Sequence, residues 1–404
     1  MKSSILYISY DGMLEPLGQS QVLAYLERLA GDYDIHLLSF EKPADWSDVA
    51  ARKAVAARLQ RAQICWHPHR YHKLPTAPAT AFDIFVGALA GLWLTWRHGV
   101  RIVHARSYVP AVMALIIKRL TGAKFLFDMR GFWANERVDG GLWPRDGRLY
   151  RVAKRLERRF LLDADHVVSL THAAVREMEQ FDCLRGRMPP MTVIPTCADL
   201  ARFLPLPKPA EAAPFTLGYV GAVGTCYQFD LAASVFMILR SQCPRARFLI
   251  INKGAHDYIS AQLVAAAVPL EAVELREARH ADVPALMARM DAGVFFYRPD
   301  FSAQARAPTK LAEFLGCGIP CLSNSGVGDM AAILETERVG VAVDTLGAPA
   351  LAVGVHRLLE LCAEPGITAR CTHAALSHFS LEEGVKQYAR IYRELEGSAR
   401  GDES

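Results

Sequence analysis

The 404-residue chain carries nine cysteines but no Cys-x-x-Cys pair, and the count is odd. With several of them inside apolar runs, they read as buried thiols of a reducing compartment rather than a disulfide framework. No G-x-G-x-x-G motif opens the first helix, which argues against a nicotinamide dehydrogenase. No stretch reaches the roughly 20 apolar residues that a membrane span needs. The most apolar one, AFDIFVGALAGLWLTW (81–96), carries Asp83 and reads as a largely buried helix, with a membrane-surface role as the alternative. The opening MKSSILYISYDGM is too short and too polar after Tyr10 for a signal peptide and reads as a first strand. Charge of one sign is also scarce. A net +4 and a pI near 8.5 provide no basic stripe for nucleic acid, so no nucleic-acid partner is expected. Anionic small molecules and an anionic membrane surface remain as partners.

What is present is alternation. The length suggests two domains. In the first half, ILYISY (5–10), DIHLLSF (34–40), RIVHA (101–105), KFLFDM (124–129) and HVVSL (166–170) read as strands. Helical patterns fill 21–30, 49–60, 82–96, 111–120 and 149–161. Strand–helix alternation implies a parallel sheet covered on both faces. The stretch 192–214, rich in Pro, Ala and Lys, reads as a linker. Alternation then resumes with 215–223, 246–251, 273–278, 292–297, 319–323 and 340–343. The last helix, 380–396, has Ser380 and Glu383 at capping-box spacing, and no strand follows it. It is free to pack back on the first domain. The fold class is α/β: two doubly wound Rossmann-like domains facing a central cleft, with ligand loops at the strand C-termini.

Several loops carry chemistry. After the first strand, Gly18, Gln19 and Ser20 precede a helix, the glycine suited to close backbone approach and Ser20 to capping. HARSY (104–108) adds His104 and Arg106; a lone histidine at such a place is more often structural than catalytic. The 129–148 segment reads as a long loop dense in charged and aromatic groups, including Arg130, Trp133 and Glu136, with Asp128 just before it. In the second half, GAVGTCYQFD (221–230) supplies Gly221 and Gly224. ARAPTKLAEFLGCGIP (305–320) runs from a loop into a helix whose start carries Arg306, Thr309 and Lys310, with Glu313 one turn on. A helix N-terminus already favours an anion, and Arg298, Arg306 and Lys310 together neutralise a diphosphate. Glu313 suits a ribose diol. A Gly-rich turn, NSGVGD (324–329), follows the next strand. Separately, 145–160 forms a basic amphipathic helix: Arg148, Arg151, Lys154, Arg155 and Arg158 on one side, Leu149, Val152, Leu156 and Phe160 on the other. Such a helix either buries its apolar stripe or lies on an anionic membrane.

DGMLEPLGQSQVLAYL, KFLFDMRGFW, VIPTCADLARF, LGYVGAVGT and, above all, PTKLAEFLGCGIP followed by GVGD resemble the glycosyltransferase family 4 group over essentially the whole length. The resemblance implies the GT-B fold: an acceptor domain (1–200), a nucleotide-sugar domain (201–378) and a C-terminal helix (379–404) returning to the first. It implies a nucleoside-diphosphate sugar as donor, retention at the anomeric carbon, and neither bound cofactor nor metal. Roles in bacterial surface polysaccharide or glycolipid synthesis follow, in the cytoplasm or on the inner face of the membrane, with a glycan or lipid-linked acceptor. Glu313 matches the second Glu of the family's E-x7-E motif, which holds the ribose. The first falls on Ala305, and Asp300 or Gln304 are the candidates to replace it. Gly18 matches the glycine loop that approaches the donor phosphate. The family's acceptor-domain histidine falls near Asp128 and Arg130, which are assigned to orienting the acceptor with Gln19, Ser20, Arg106, Trp133 and Glu136 around it. Asp128, Arg130, Lys310 and Glu313 form the catalytic set. Two alternatives stand beside this reading: a nucleotide-sugar epimerase, and an inactive transferase-like subunit of a polysaccharide assembly complex.

Overall fold

The computed structural model describes residues 2–207, 214–279 and 282–401. The chain divides into two compact units, one of Met1–Pro195 with Leu381–Ser404, the other of Thr196–Ser380.

Unit 1 holds a seven-stranded parallel sheet. Its strands are β1 (Ser3–Ser9), β2 (Tyr33–Glu41), β3 (Cys65–Arg70), β4 (Ile102–Arg106), β5 (Lys124–Asp128), β6 (His166–Ser169) and β7 (Met191–Val193), in the order β3-β2-β1-β4-β5-β6-β7. The order reverses between β1 and β4, the point where such sheets bind ligands. The central strands are buried on both sides, as their continuous Ile, Leu, Val and Phe runs require. Two edge strands were not expected from the sequence. CWHPHR forms β3, where Pro68 is tolerated because an edge strand has one unpaired side. The short β7 takes the first residues of the stretch read as linker. Cys65, on β3, is exposed, against the expectation of buried thiols; all nine cysteines are free.

The 129–148 segment is not an irregular loop throughout. Trp133–Asp139 is a helix, closed by the Arg137 carbonyl, which accepts from the Leu142 and Trp143 amides at 2.9 and 3.0 Å. The first loop also differs. Pro16, whose fixed φ suits the first turn, starts helix ahead of Gly18, so Ser20 lies inside helical structure and its hydroxyl donates to the Pro16 carbonyl instead of capping. Gly18 has an ordinary helical φ of −60°. A Cβ there would lie 2.1 Å from the Gly12 carbonyl oxygen. Close packing on the protein's own backbone therefore accounts for this glycine. Gly18→Ala is expected to destabilise unit 1 by about 1–3 kcal/mol, as overpacking does, measured by urea unfolding.

The C-terminal helix Leu381–Gly401 packs in unit 1 against helix Ala24–Leu29 and β4. Tyr388 and Tyr392 meet Tyr25 and Tyr33 edge-on, with ring centroids 5.7 and 5.1 Å apart. Elsewhere in unit 1 three helices pack side by side: Thr76–His98 on Tyr108–Thr121, and that on Arg148–Asp163.

Unit 2 holds six parallel strands: β8 (Thr216–Val220), β9 (Arg247–Ile251), β10 (Val273–Arg276), β11 (Ala292–Val294), β12 (Cys321–Asn324) and β13 (Gly340–Val343), ordered β10-β9-β8-β11-β12-β13. Its switch point lies between β8 and β11. Phe229, Phe236, Phe248, Phe295 and Phe314 fill its core.

Candidate functional site

Each unit gathers polar groups at its switch point. In unit 2, β8 ends in a loop where Gly221 and Gly224 take φ of +100° and +76°, open to glycine at no steric cost. A Cβ on Gly221 would stand 3.1 Å from Cε of Lys310. Lys310 enters from the first turn of helix Thr309–Gly316, whose N-cap, Pro308, offers no side-chain hydrogen bond to the helix amides. Its ammonium sits in a tyrosine cage, 3.9 Å from the Tyr227 ring centroid and 4.6 Å from that of Tyr219. Its hydrogen bonds are long: 3.5 Å to the Tyr219 hydroxyl and 3.4 Å to the Ala222 carbonyl. Burial pushes its pKa down to about 7, against the opposing pull of Cys226 and Glu313. Burial likewise pushes the Glu313 carboxyl up to about 7, against Lys310 and Arg202. The Glu313 carboxylate has no hydrogen-bond partner among the described residues, while its backbone carbonyl accepts the Cys317 amide at 3.0 Å.

Arg306 follows the turn Phe301–Ala305. One of its Nη atoms donates to Ser302 Oγ at 3.1 Å, while Nη1 is buried without a partner. A buried guanidinium nitrogen left unpaired is costly, and an anion relieves it. Ala305 is itself buried in that turn. Asp300 and Gln304 stand half-buried beside it. Arg298 is exposed, and its backbone amide ties to the Cys226 carbonyl at 2.8 Å, joining the β8 and β11 loops. The NSGVGD turn closes on the same place, the Gly328 amide donating to the Ala303 carbonyl at 3.0 Å. Thus Gly221, Gly224, Arg298, Arg306, Thr309, Lys310 and Glu313 lie on converging loops of one unit.

In unit 1 the pleated register sets Ser9 of β1 beside Arg106 of β4, and Arg106 beside Asp128 of β5. Arg106 Nε lies 3.4 Å from Asp11, and its Nη1 is 3.8 Å from Asp128 Oδ2. Arg130 Nη1 lies 3.8 Å from the other Asp128 oxygen, Oδ1, which is buried without a hydrogen bond. Tyr388 of the C-terminal helix donates to Asp128 Oδ2 at 3.1 Å, and His104 Nε2 is 3.7 Å away. Burial raises the Asp128 pKa, but Arg130, with His104 and Arg106, outweighs it and holds the carboxyl below its ordinary range. Burial lowers His104 despite Asp128. Arg130 (φ +59°) and Ser107 (φ +70°) are strained, as non-glycine residues near functional sites often are.

Gln19 and Ser20 stand on the helix after β1, Gln19 reaching the Leu14 carbonyl at 3.4 Å. Trp133 packs on Tyr108 and Trp143, with Arg137 over its ring. Glu136 is on that same short helix.

Two family models match in tandem: a glycosyl transferase 4-like domain over residues 18–197 and glycosyl transferases group 1 over 214–361. The chain belongs to the GT-B glycosyltransferases. Solved structures share the transferase's fold. Sucrose-phosphate synthase from Thermosynechococcus elongatus superimposes with a TM-score of 0.71 at 15% identity, covering 98% of this chain and 100% of that one. A glycosyltransferase from Rickettsia africae gives 0.69 at 14%, covering 98% of each. Anabaena HepE, in complex with UDP and glucose, gives 0.64 at 15%, covering 96% of this chain and 99% of that one. A search of curated proteins finds no match.

Three features of the transferase escaped sequence reasoning. The Tyr219–Tyr227 cage joins a strand residue to a loop residue, and no spacing announces it. Glu41 is buried at the end of β2 and accepts the Met13 amide at 2.9 Å and the Leu14 amide at 3.3 Å, fixing the first loop. Asn324 pairs both its amide atoms with Tyr297 backbone at 2.9 and 3.0 Å; its place at a strand end before a Gly-rich turn was the available signal.

Proposed function

We propose that this transferase moves a sugar from a nucleoside-diphosphate sugar to a hydroxyl of a glycan or lipid-linked acceptor, with retention and without a bound metal. Its setting is bacterial surface polysaccharide or glycolipid synthesis, on the inner face of the cell membrane. The observation that carries the reading is the anion-ready corner of unit 2: Lys310 caged and weakly bonded, Arg306 Nη1 unpaired, and a side-chain-free helix start beside Gly221. That HepE is seen with UDP and with UDP-glucose supports a nucleotide-sugar donor on the same fold.

On this reading the diphosphate lies against Lys310, Arg306 and the Thr309 end of the helix, with Arg298 at its exposed edge. Glu313 accepts from the ribose diol. As the glycosidic C–O bond breaks, positive charge grows on the sugar and negative charge on the β-phosphate. Lys310 and Arg306 meet that negative charge at preorganised positions. The acceptor hydroxyl attacks the face that the phosphate leaves, and its proton passes to the departing phosphate oxygen. Asp128 and Arg130, with Arg106, Gln19, Ser20, Trp133 and Glu136, orient the acceptor in unit 1. Asp300 or Gln304 takes the donor-sugar contact that Ala305 does not make.

Calorimetric titration with UDP, GDP and ADP tests the donor site. Micromolar binding of one nucleotide is expected, weakened at least about tenfold by Arg306→Ala, the loss typical of one charge-assisted hydrogen bond. Binding of none of the three sinks the assignment. Binding without turnover on any sugar donor would favour the inactive-subunit reading that Ala305 invites.

A further inference from the structure

Helix Thr76–His98 is built inside out for a water-soluble layer. Half of its buried side is made of small residues, Ala79, Gly87, Ala88 and Gly91, with Asp83, Leu92, Leu94 and Thr95 buried beside them. A Cβ on Gly87 would fall 2.6 Å from Met113 Sδ, and one on Gly91 2.6 Å from Ile117 Cδ1, so the helix sits close on its neighbour. All of its phenylalanine, tryptophan and leucine side chains except Leu92 and Leu94 stand outside. Phe82, Phe85, Leu89, Trp93 and Trp96 are each 52–68% exposed. Their spacing of three, four, four and three residues makes a single stripe, about 21 Å long at the helical rise per residue. The other two helices of the layer also expose apolar side chains, Leu120 at the end of Tyr108–Thr121 and Leu149 and Val152 in the first turns of Arg148–Asp163. Of the apolar stripe that either packs inward or meets a membrane, Leu149 and Val152 are thus left outside. The helix instead buries Ala153, Glu157, Phe160 and Leu161. Around that end, Arg148, Arg151 and Arg155 are exposed and have no carboxylate partner among the described residues. An exposed apolar patch this broad marks an interaction surface, and the unpaired arginines give its partner a negative charge.

We propose that this three-helix face docks on an anionic lipid bilayer. The Phe82–Trp96 stripe seats in the boundary between headgroups and acyl chains, where Trp is favoured, and Arg148, Arg151 and Arg155 engage lipid phosphates. Although Thr76–His98 is long and apolar enough to cross a membrane by length and composition, it lies on the surface. Buried Asp83 ties it to the sheet side, accepting from the Tyr10 hydroxyl at 2.8 Å and the His72 amide at 3.0 Å. The inference deepens the proposed lipid-linked acceptor and rests on it for its biological sense: docking holds the acceptor domain at the surface that carries such a substrate.

Co-sedimentation of the full chain with vesicles of phosphatidylcholine alone, and of phosphatidylcholine mixed with phosphatidylglycerol, tests it. The chain is expected to bind the mixed vesicles at low salt, with a blue shift in tryptophan emission, and to release as salt rises. Trp93→Ser with Trp96→Ser should lower the partition coefficient at least about tenfold. Arg148→Ser, Arg151→Ser and Arg155→Ser together should lower it by at least about tenfold on mixed vesicles only. All these positions are exposed, so melting temperature and nucleotide titration should match the wild type. A chain that stays in the supernatant with both vesicles, or variants that bind like the wild type, overturns the proposal. So does a concentration-dependent dimer dissolved by the Trp93→Ser, Trp96→Ser variant, which would make the face a protein interface. Vesicle binding without nucleotide binding would instead leave docking standing and remove the donor reading.

Discussion

Lys310→Ala is expected to lower kcat by about 10²–10³-fold, the loss seen when one preorganised charge-stabilising group is removed. The size follows from where the ammonium stands. It is buried between two tyrosine rings with only long hydrogen bonds, so its strongest partner is absent until an anion arrives, and the low dielectric then magnifies the contact. A pH signature goes with it. In the empty site Lys310 loses its proton at about pH 7, while an adjacent diphosphate favours the charged form. Below pH 7 the ammonium is already charged and its contribution to affinity is flat. Above it, binding must take up a proton, and affinity falls by up to about tenfold per pH unit until the pKa of the complex is reached. Calorimetry with a nucleotide sugar, repeated at pH 8 in buffers of different ionisation enthalpy, should show that uptake. Lys310→Ala should abolish both the uptake and the decline. Glu313 also titrates near pH 7 because burial raises it, so Glu313→Gln is the control. A decline that survives Glu313→Gln belongs to Lys310, and one that vanishes with it does not.

The parts legible in the sequence were those set by local pattern. GVAV (340–343) is β13 residue for residue, because a short β-branched run between polar turns has one easy conformation. PTKLAEFLGCGIP shows its helix start and its charges directly, and the structure places them at the switch point of unit 2. CWHPHR was illegible for the opposite reason: its histidines and proline follow no period, and only pairing with β2 makes it a strand. The Trp133–Asp139 helix hid because glycines on both sides gave the segment a loop's composition. The orientation of Thr76–His98 was not readable either. Its sequence is apolar nearly all round, and only the small residues facing Met113 and Ile117 decide which side turns in. The Asp128 cluster was legible as four separate residues. Their convergence depends on the register of three strands and on Tyr388, 260 positions away from Asp128.

That convergence makes Asp128→Asn the most damaging change expected in unit 1. The carboxylate is fully buried and faces Arg106 and Arg130, each with a guanidinium nitrogen 3.8 Å away, while Tyr388 donates to it. Asparagine keeps the shape but removes the only charge between two cations. Arg106, itself buried, retains Asp11 at 3.4 Å, but Arg130 keeps no carboxylate in these contacts. Breaking a buried pair from one side costs about 3–5 kcal/mol, because the remaining charge cannot regain water. Urea unfolding followed in unit 1, by hydrogen exchange at β4 and β5, should show that loss while unit 2 protection stays unchanged. The acid limb supplies the sign. Asp128 is held below the ordinary carboxylate value of 3.8, so its contribution is present above that pH and is lost as pH falls through the folded-state pKa. The variant should therefore lack that part of the wild type's acid destabilisation. An Asp128→Asn protein as stable as the wild type at neutral pH, with an unchanged acid limb, would mean that the two arginines find their counter-charge elsewhere.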